Sequence, residues 1–219
     1  MNIFEQNTEK NILYRFSDNS IYNPQFVWAA EIYPRSEIFN RTCSRCNSRE
    51  SYPIGAFDVI LEDGTQYPDV LGCGAFPFLI VSNRVVDHWN HANITAFHVY
   101  PVGIAEIRTE GLRIADPPDY FRIEIDGRCH IDLQASGLSV KQHCQKCHHL
   151  STEPLVASGF AMTPNSWDGS SVFRDHDLYP HVNFCTKLLV ELAHKHQHTN
   201  FRFELMQGPF DSSTRGIEY

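Results

Sequence analysis

Cys43-Ser44-Arg45-Cys46 and Cys144-Gln145-Lys146-Cys147 are the two stretches on which the reading of this chain turns. Two thiolates separated by two residues can fold back onto one tetrahedral ion, and two such pairs complete a four-sulfur set. Residues 47 to 143 lie between them, so a shared ion would tie together segments almost half the chain apart. A redox motif needs a helix N-terminus after an apolar strand. Here polar Asn40-Arg41-Thr42 and Lys141-Gln142-His143 come first. Cys43, Cys46, Cys144 and Cys147 are therefore the candidate metal ligands. The ion expected is a structural Zn2+, since four thiolates leave no open position for water. His143, His148 and His149 crowd the second pair as alternative imidazole ligands, although polar histidines on an exposed knuckle are the plainer reading. Arg41, Arg45 and Arg49 offset the double negative charge of such a site and need not mark a ligand.

Composition frames the pairs. The 219 residues are 42% hydrophobic and 20% charged, with 15 phenylalanines and 9 tyrosines, which is enough apolar material for an ordered core. The expected organisation is one domain over 1–219. Met1 to Lys10 is polar, without a signal-peptide core, and the longest apolar run, Ala75 to Val81, is far too short to span a bilayer. A cytoplasmic location and no membrane partner are expected. A reducing compartment favours metal binding over disulfides for the paired cysteines. Cys73, Cys129 and Cys185 stand alone in apolar surroundings and read as small buried hydrophobes. A net charge of −8 argues against nucleic acid as the main ligand and suits a basic partner, while also serving plain solubility.

Outward from the knuckles, the pattern is α+β. Asn11 to Ile38 is aromatic at irregular spacing and reads as short strands and loops wrapping the body. Phe57 to Leu61 is a strand closed by a tight turn at Asp63-Gly64. Leu71-Gly72-Cys73-Gly74 reads as a flexible loop. Ser82 sits where a helix cap should be, Val85, Val86, Trp89 and Ala92 follow at helical spacing, and Phe97 to Tyr100 alternates like a strand. A second strand-helix-strand pattern runs from Val182 through Thr186, Leu188, Leu189, Leu192 and Ala193 to Phe201-Leu205, about 104 positions later. The cysteine pairs are offset by 101 (Cys43 to Cys144). Two similar modules, about 40–103 and 141–206, suggest internal duplication, and chance likeness of two amphipathic helices is the alternative. Between them, in 104–140, Tyr120-Ile125, Asp126-Gly127 and Cys129-Leu133 read as a β-hairpin that presents the second knuckle.

Enzyme signatures are missing. The sequence has no Gly-x-x-x-x-Gly-Lys-Ser/Thr, Gly-x-Ser-x-Gly, His-Glu-x-x-His or Gly-x-Gly-x-x-Gly. Among twelve histidines, His88 and His91 lie one turn apart on a helix, with Asp87 also one turn before His91, and His194, His196 and His198 form a string. A polar helix face and a solvated helix C-terminus explain these better than a second metal site. No catalytic residue and no small-molecule substrate are expected.

Taken in order, these segments resemble the double-CxxCG-motif immunity proteins of bacterial polymorphic toxin systems. The resemblance is carried by the two knuckles, by Phe78-Arg84 followed by Ile94-Phe97, by Tyr120-Ile125 with Asp132-Gly137, and by Ser171-Arg174 with Thr199-Glu204. It spans roughly residues 40 to 205. The glycine after each pair is replaced by Asn47 and His148. Asn47 tolerates the left-handed backbone that glycine would supply better than His148 does. The resemblance implies a cytoplasmic protein that binds and neutralises a cognate toxin, with no catalytic residue to carry over and no family-wide toxin-contact motif. A basic nuclease toxin would be drawn to its acidic loops at Glu62-Asp63 and Asp116 to Asp119. A zinc-ribbon nucleic-acid-binding or regulatory protein is the alternative.

Overall fold

The computed structural model describes residues 12–18, 23–34, 38–53, 55–73, 79–112, 116–147, 149–153, 159–175, 182–206 and 217–218. In chain order the first half gives β1 (Leu13–Asp18), β2 (Trp28–Pro34), β3 (Ile38–Thr42), β4 (Arg49–Pro53), β5 (Phe57–Glu62), β6 (Val70–Leu71) and β7 (Leu79–Ser82). Helix α1 (Asn83–His91) and the long β8 (Phe97–Ile107) follow. The second half gives β9 (Tyr120–Ile125), β10 (Ser139–His143), β11 (Leu150–Glu153), β12 (Val172–Arg174) and β13 (Asn183–Thr186). Helix α2 (Lys187–Lys195), β14 (Phe201–Leu205) and β15 (Ile217–Glu218) complete the chain. Mostly β-sheet with two helices, the architecture is α+β.

A six-stranded sheet runs β2-β5-β8-β9-β7-β6, and a five-stranded sheet runs β12-β13-β1-β14-β15. Hairpins β3-β4 and β10-β11 stand apart from both. The six-stranded sheet returns on itself: Val27 N–H donates to the Gln66 carbonyl at 3.0 Å and Ala29 N–H to Gly72 at 2.7 Å. Parallel bridges at Phe26-Gln66 and Trp28-Gly72 join its first strand to its last and roll it into a barrel, which removes its open edges. Leu71, Gly72 and Cys73, expected in a flexible loop, are therefore buried along the closing seam, and Gly74 lies outside the described residues.

Side-chain alternation sorts the core. Phe57, Val59, Leu61, Leu71, Ile80, Val102 and Tyr120 fill the barrel. Val70, Leu79, Val81, Ile123 and Ile125 point the other way and join Val85, Val86 and Trp89 of α1 in the central core. The same core takes Tyr14, Phe16, Cys185, Phe201 and Phe203 from the second sheet and Leu189, Val190, Leu192 and Ala193 from α2. The far face of the second sheet buries Leu13, Phe173 and Phe184 against Cys129, Ile131, Leu138, Phe160 and Val182. Cys73, Cys129 and Cys185 are all buried, as their apolar settings require.

Helices α1 and α2 form where the 3.6-residue spacing places them. Ser82 and Thr186 cap them in extended backbone, without a side-chain cap bond. The Ser82 hydroxyl instead donates to Asp69 Oδ1 at 2.9 Å. Asp63 and Gly64 both adopt positive φ, 53° and 59°, which makes the expected tight turn after β5.

Two expectations fail for one reason: pairing here is long-range. The strand from Leu13 to Asp18 does not wrap the body. It is the middle strand of the second sheet, antiparallel to β13 and to β14. The segment Tyr120-Leu133 is not a hairpin. Strand β9 pairs with β7 and β8, and residues 128–131 contribute only isolated bridges, Arg128 to Arg174 and Ile131 to Met162. Gly127 serves a crossing and not a turn. A Cβ there would lie 2.1 Å from the Val172 carbonyl oxygen and 2.2 Å from Ser170 Oγ. Gly127→Ala should therefore cost about 1–3 kcal/mol through overpacking, read as a lower urea midpoint with an unchanged slope.

Candidate metal centre

Each knuckle is a three-residue turn between antiparallel strands. Cys43 N–H donates to the Ser48 carbonyl and Cys144 N–H to the His149 carbonyl, both at 2.9 Å. Asn47 takes the left-handed backbone, φ 59°, that the turn requires. His148, its counterpart, lies outside the described residues.

The hairpins bring Cys43, Cys46, Cys144 and Cys147 together with all four sulfurs within 4.8 Å of one another. Cys43 Sγ lies 3.7 Å from Cys144 Sγ, and Cys46 Sγ 3.5 Å from Cys147 Sγ. Zinc–sulfur bonds of about 2.3 Å at tetrahedral angles give sulfur–sulfur edges of roughly 3.75 Å, so the spacing fits such an ion. Cys43 and Cys144 are buried, Cys46 and Cys147 half-buried. It is the one group of three or more ligand side chains with metal spacing among the described residues.

Donors around the sulfurs favour thiolates. The Cys46 and Arg45 amides hold the Cys43 thiol below its ordinary range, with Arg45 N–H 3.4 Å from Cys43 Sγ. The Ser48 hydroxyl, 3.5 Å from Cys147 Sγ, and the His149 amide lower Cys147 to about 6. Ser48 also pulls Cys46 down, but burial and the facing sulfurs of Cys147 and Cys144 outweigh it and push that thiol up. Thiolates this close repel one another, and a divalent cation among them would remove the conflict. Ser48, which touches sulfurs of both hairpins, carries no sequence signal beyond lying two residues after Cys46.

Second contacts also cross between the hairpins. An Arg41 guanidinium N–H donates to the Cys147 carbonyl at 3.1 Å, and Lys146 Nζ to Ser44 Oγ at 2.7 Å. Arg41, Arg45, Arg49, Lys141 and Lys146 are exposed on these hairpins, around a site that carries two net negative charges when loaded. His143 and His149 are exposed and stand outside the four-sulfur cluster.

The other histidines meet elsewhere, between the helices. His88 Nδ1 lies 2.8 Å from His198 Nε2, so one ring donates and the other accepts. His88 stacks on His196 with ring centroids 3.7 Å apart. The string His194-His198 ends α2 as its spacing requires, with His196 as C-cap, but the end is not solvated throughout: His198 is 2% exposed. Its Nδ1 is buried without a hydrogen-bond partner among the described residues. Beside the rings, Asp69 accepts from Arg84 Nε at 3.0 Å, Ser82 Oγ at 2.9 Å and Thr199 N–H at 2.8 Å, and pairs with the Arg84 terminal nitrogen. Arg84 also donates to the carbonyls of His196 and Gln197. Asp69 and Arg84 belong to the first half and Thr199 to the second, so this joint is a second tie between halves. No local periodicity announces it, because its partners are over a hundred residues apart.

No protein-family model matches the chain, and no curated protein matches it. No helix among the described residues is long and apolar enough to cross a membrane.

Replacing Cys43 or Cys144 with serine should abolish tight zinc binding. Stability should fall by about 4 kcal/mol at zinc levels a thousandfold above the dissociation constant, read by metal analysis and thermal shift with and without chelator.

The histidine joint predicts a distinct pH effect. Burial holds His198 down to about 4, and burial with His196 and Arg84 nearby lowers His88. Both rings are shifted toward the neutral form when folded, so their contribution is complete above the ordinary value of 6.5, and that of His198 is lost as pH falls toward about 4. Stability should drop by roughly 3 kcal/mol between pH 7 and pH 4, and His198→Phe should flatten that slope in urea titrations.

Proposed function

We propose that this chain is an immunity protein that binds and neutralises a cognate protein toxin in the cytoplasm of the cell that makes it. Its zinc is structural, bound by Cys43, Cys46, Cys144 and Cys147 as a clasp between the two halves. The two strand-helix-strand segments, β7-α1-β8 and β13-α2-β14, are copies of one unit. The observation that carries the reading is the closed four-sulfur set, which leaves no ligand position for chemistry and lies at one end of a barrel whose other end is acidic.

Strand direction gives that polarity. Antiparallel β2 and β5 both connect to the β3-β4 hairpin at one end of the barrel, because β2 runs into it and β5 out of it. At the opposite end, β5 leads to Glu62 and Asp63, and β8 leads through Glu106 and Glu110 to Asp116 and Asp119. The loops meet there: Arg108 pairs with Glu62 at 2.8 Å and with Glu106 at 3.0 Å, and Thr109 Oγ1 donates to the Gly64 carbonyl at 2.6 Å. Asp63, Glu106, Glu110, Asp116 and Asp119 are exposed. A rim of this kind, on a protein of net charge −8, suits a basic partner.

The nucleic-acid reading keeps one favourable observation, the five exposed cations on the knuckle hairpins. Two of them, Arg41 and Lys146, are spent on contacts between the two knuckle hairpins. A gel-shift assay with short DNA and RNA decides between the readings.

Producing the chain in a sensitive strain should protect it from toxin-bearing kin, and the immobilised chain should retain one stoichiometric basic protein from those kin. No protection together with no retained protein would sink the proposal. Reversing Glu62, Asp63, Asp116 and Asp119 to lysine should slow association at least about tenfold at low salt and remove its salt dependence, measured by stopped flow.

A further inference from the structure

Each half of this molecule is completed by the other. Strand β9 of the second half lies between β7 and β8 of the first, and β1 of the first lies between β13 and β14 of the second. The registers match. In one slot Ser82 faces Tyr120 and Leu79 faces Ile123; in the other Thr186 faces Leu13 and Asn183 faces Phe16. Across the slots Phe97 faces Ile125 and Phe201 faces Asp18. Every one of these pairs is antiparallel.

The frames around the slots agree residue by residue. Boundaries Ser82, His91 and Phe97 recur 104 positions on as Thr186, Lys195 and Phe201. After α1 the amides of Ala92, Asn93 and Ile94 donate to His88, Asn90 and Trp89 at 3.0, 3.1 and 2.9 Å. After α2 those of His196, Gln197 and His198 donate to Leu192, His194 and Ala193 at 3.0, 3.1 and 2.9 Å. Ala96 and Asn200 then adopt φ of 68° and 65°. Arg122 and Arg15, at corresponding places on the inserted strands, each lie over an aromatic ring, Tyr100 and Phe160.

The slots, the metal clasp, the Asp69-Arg84-Thr199 joint and the central core all run between halves. Along the chain the halves are linked only through residues 108–119, which include the stiff pair Pro117-Pro118. A second copy of this chain offers each half the same strand, the same two cysteines and the same helix. From this we propose that two copies exchange halves, the first half of each closing on the second half of the other to form a dimer with two zinc clasps. The exchange adds no contact that the single chain lacks, so the linker and concentration set the balance. Chains that fold at low concentration close on themselves, and chains refolded when concentrated exchange. The inference stands on the fold and is independent of what the protein binds.

The test uses full-length chains with complementary defects. One carries Cys43→Ser and Cys46→Ser, the other Cys144→Ser and Cys147→Ser, so neither can build a four-sulfur site alone. Refolded together with zinc at high concentration, they should yield particles of twice the chain mass holding one zinc per two chains, because the intact first half of one meets the intact second half of the other. As a control that needs no clasp mutation, two wild-type chains with different affinity tags are refolded together with zinc. Capture of one tag should bring down the other. Single-chain mass with no retained zinc in the mixture, and no co-capture of tags at any concentration, would overturn the proposal.

Discussion

A strand held between two neighbours satisfies its own backbone groups and theirs. In each of the two large sheets one such strand is lent by the opposite half of the chain. With β9 withdrawn, β7 and β8 would each expose a ladder edge, and the outward row of Leu79, Val81, Ile123 and Ile125 would lose its continuity. With β1 withdrawn, β13 and β14 would part and Phe16 would leave the cluster it forms with Trp89, Phe201 and Phe203. Water can pair with an exposed ladder edge but not with the apolar side chains beside it, so trading the guest strand for water forfeits the burial of Phe16, Ile123 and Ile125. The pairing of the helices, the common core and the approach of the two cysteine hairpins all follow from that loan.

The two ties between halves use different chemistry. The four-cysteine cluster has the spacing of a cation site, so any tie it makes depends on metal supply and thiol state. The Asp69-Arg84 joint is already satisfied within the protein. Burial raises the proton affinity of Asp69, while the Arg84 guanidinium, the Thr199 amide and the Ser82 hydroxyl together hold its carboxyl below the ordinary range. The joint needs no metal, so it ties the halves whether or not the cysteine cluster is loaded.

Much of this was written locally, and what was not shows where sequence reading ends. The helices followed from Val85, Val86 and Trp89 and from Leu189, Leu192 and Ala193. The knuckles followed from cysteine spacing, and the turn at Asp63-Gly64 from its residues. In each the cause lies within a few positions of the effect. Strand partners have no such locality. Asp126-Gly127 carries the letters of a hairpin turn, but the glycine is needed for a crossing with Val172 that lies far along the chain. Leu71-Gly72-Cys73 looks like a loop because the strand that seals it is Trp28 to Pro34. The histidine string announced a helix end; that His198 would be buried against His88 depended on two helices meeting.

The loan of strands also has a history in time, because a chain is made from one end. Strand β1 emerges early, with Leu13, Tyr14 and Phe16 bare, and its two neighbours are β13 and β14. At about 5–20 residues per second, β14 leaves the ribosome roughly 10–40 seconds later. Throughout that interval a short apolar strand waits without a sheet, and the first knuckle waits for the second half of its ligand set. The barrel strands are all made by Ile125, but the second sheet is completed only when the last helix and strand arrive.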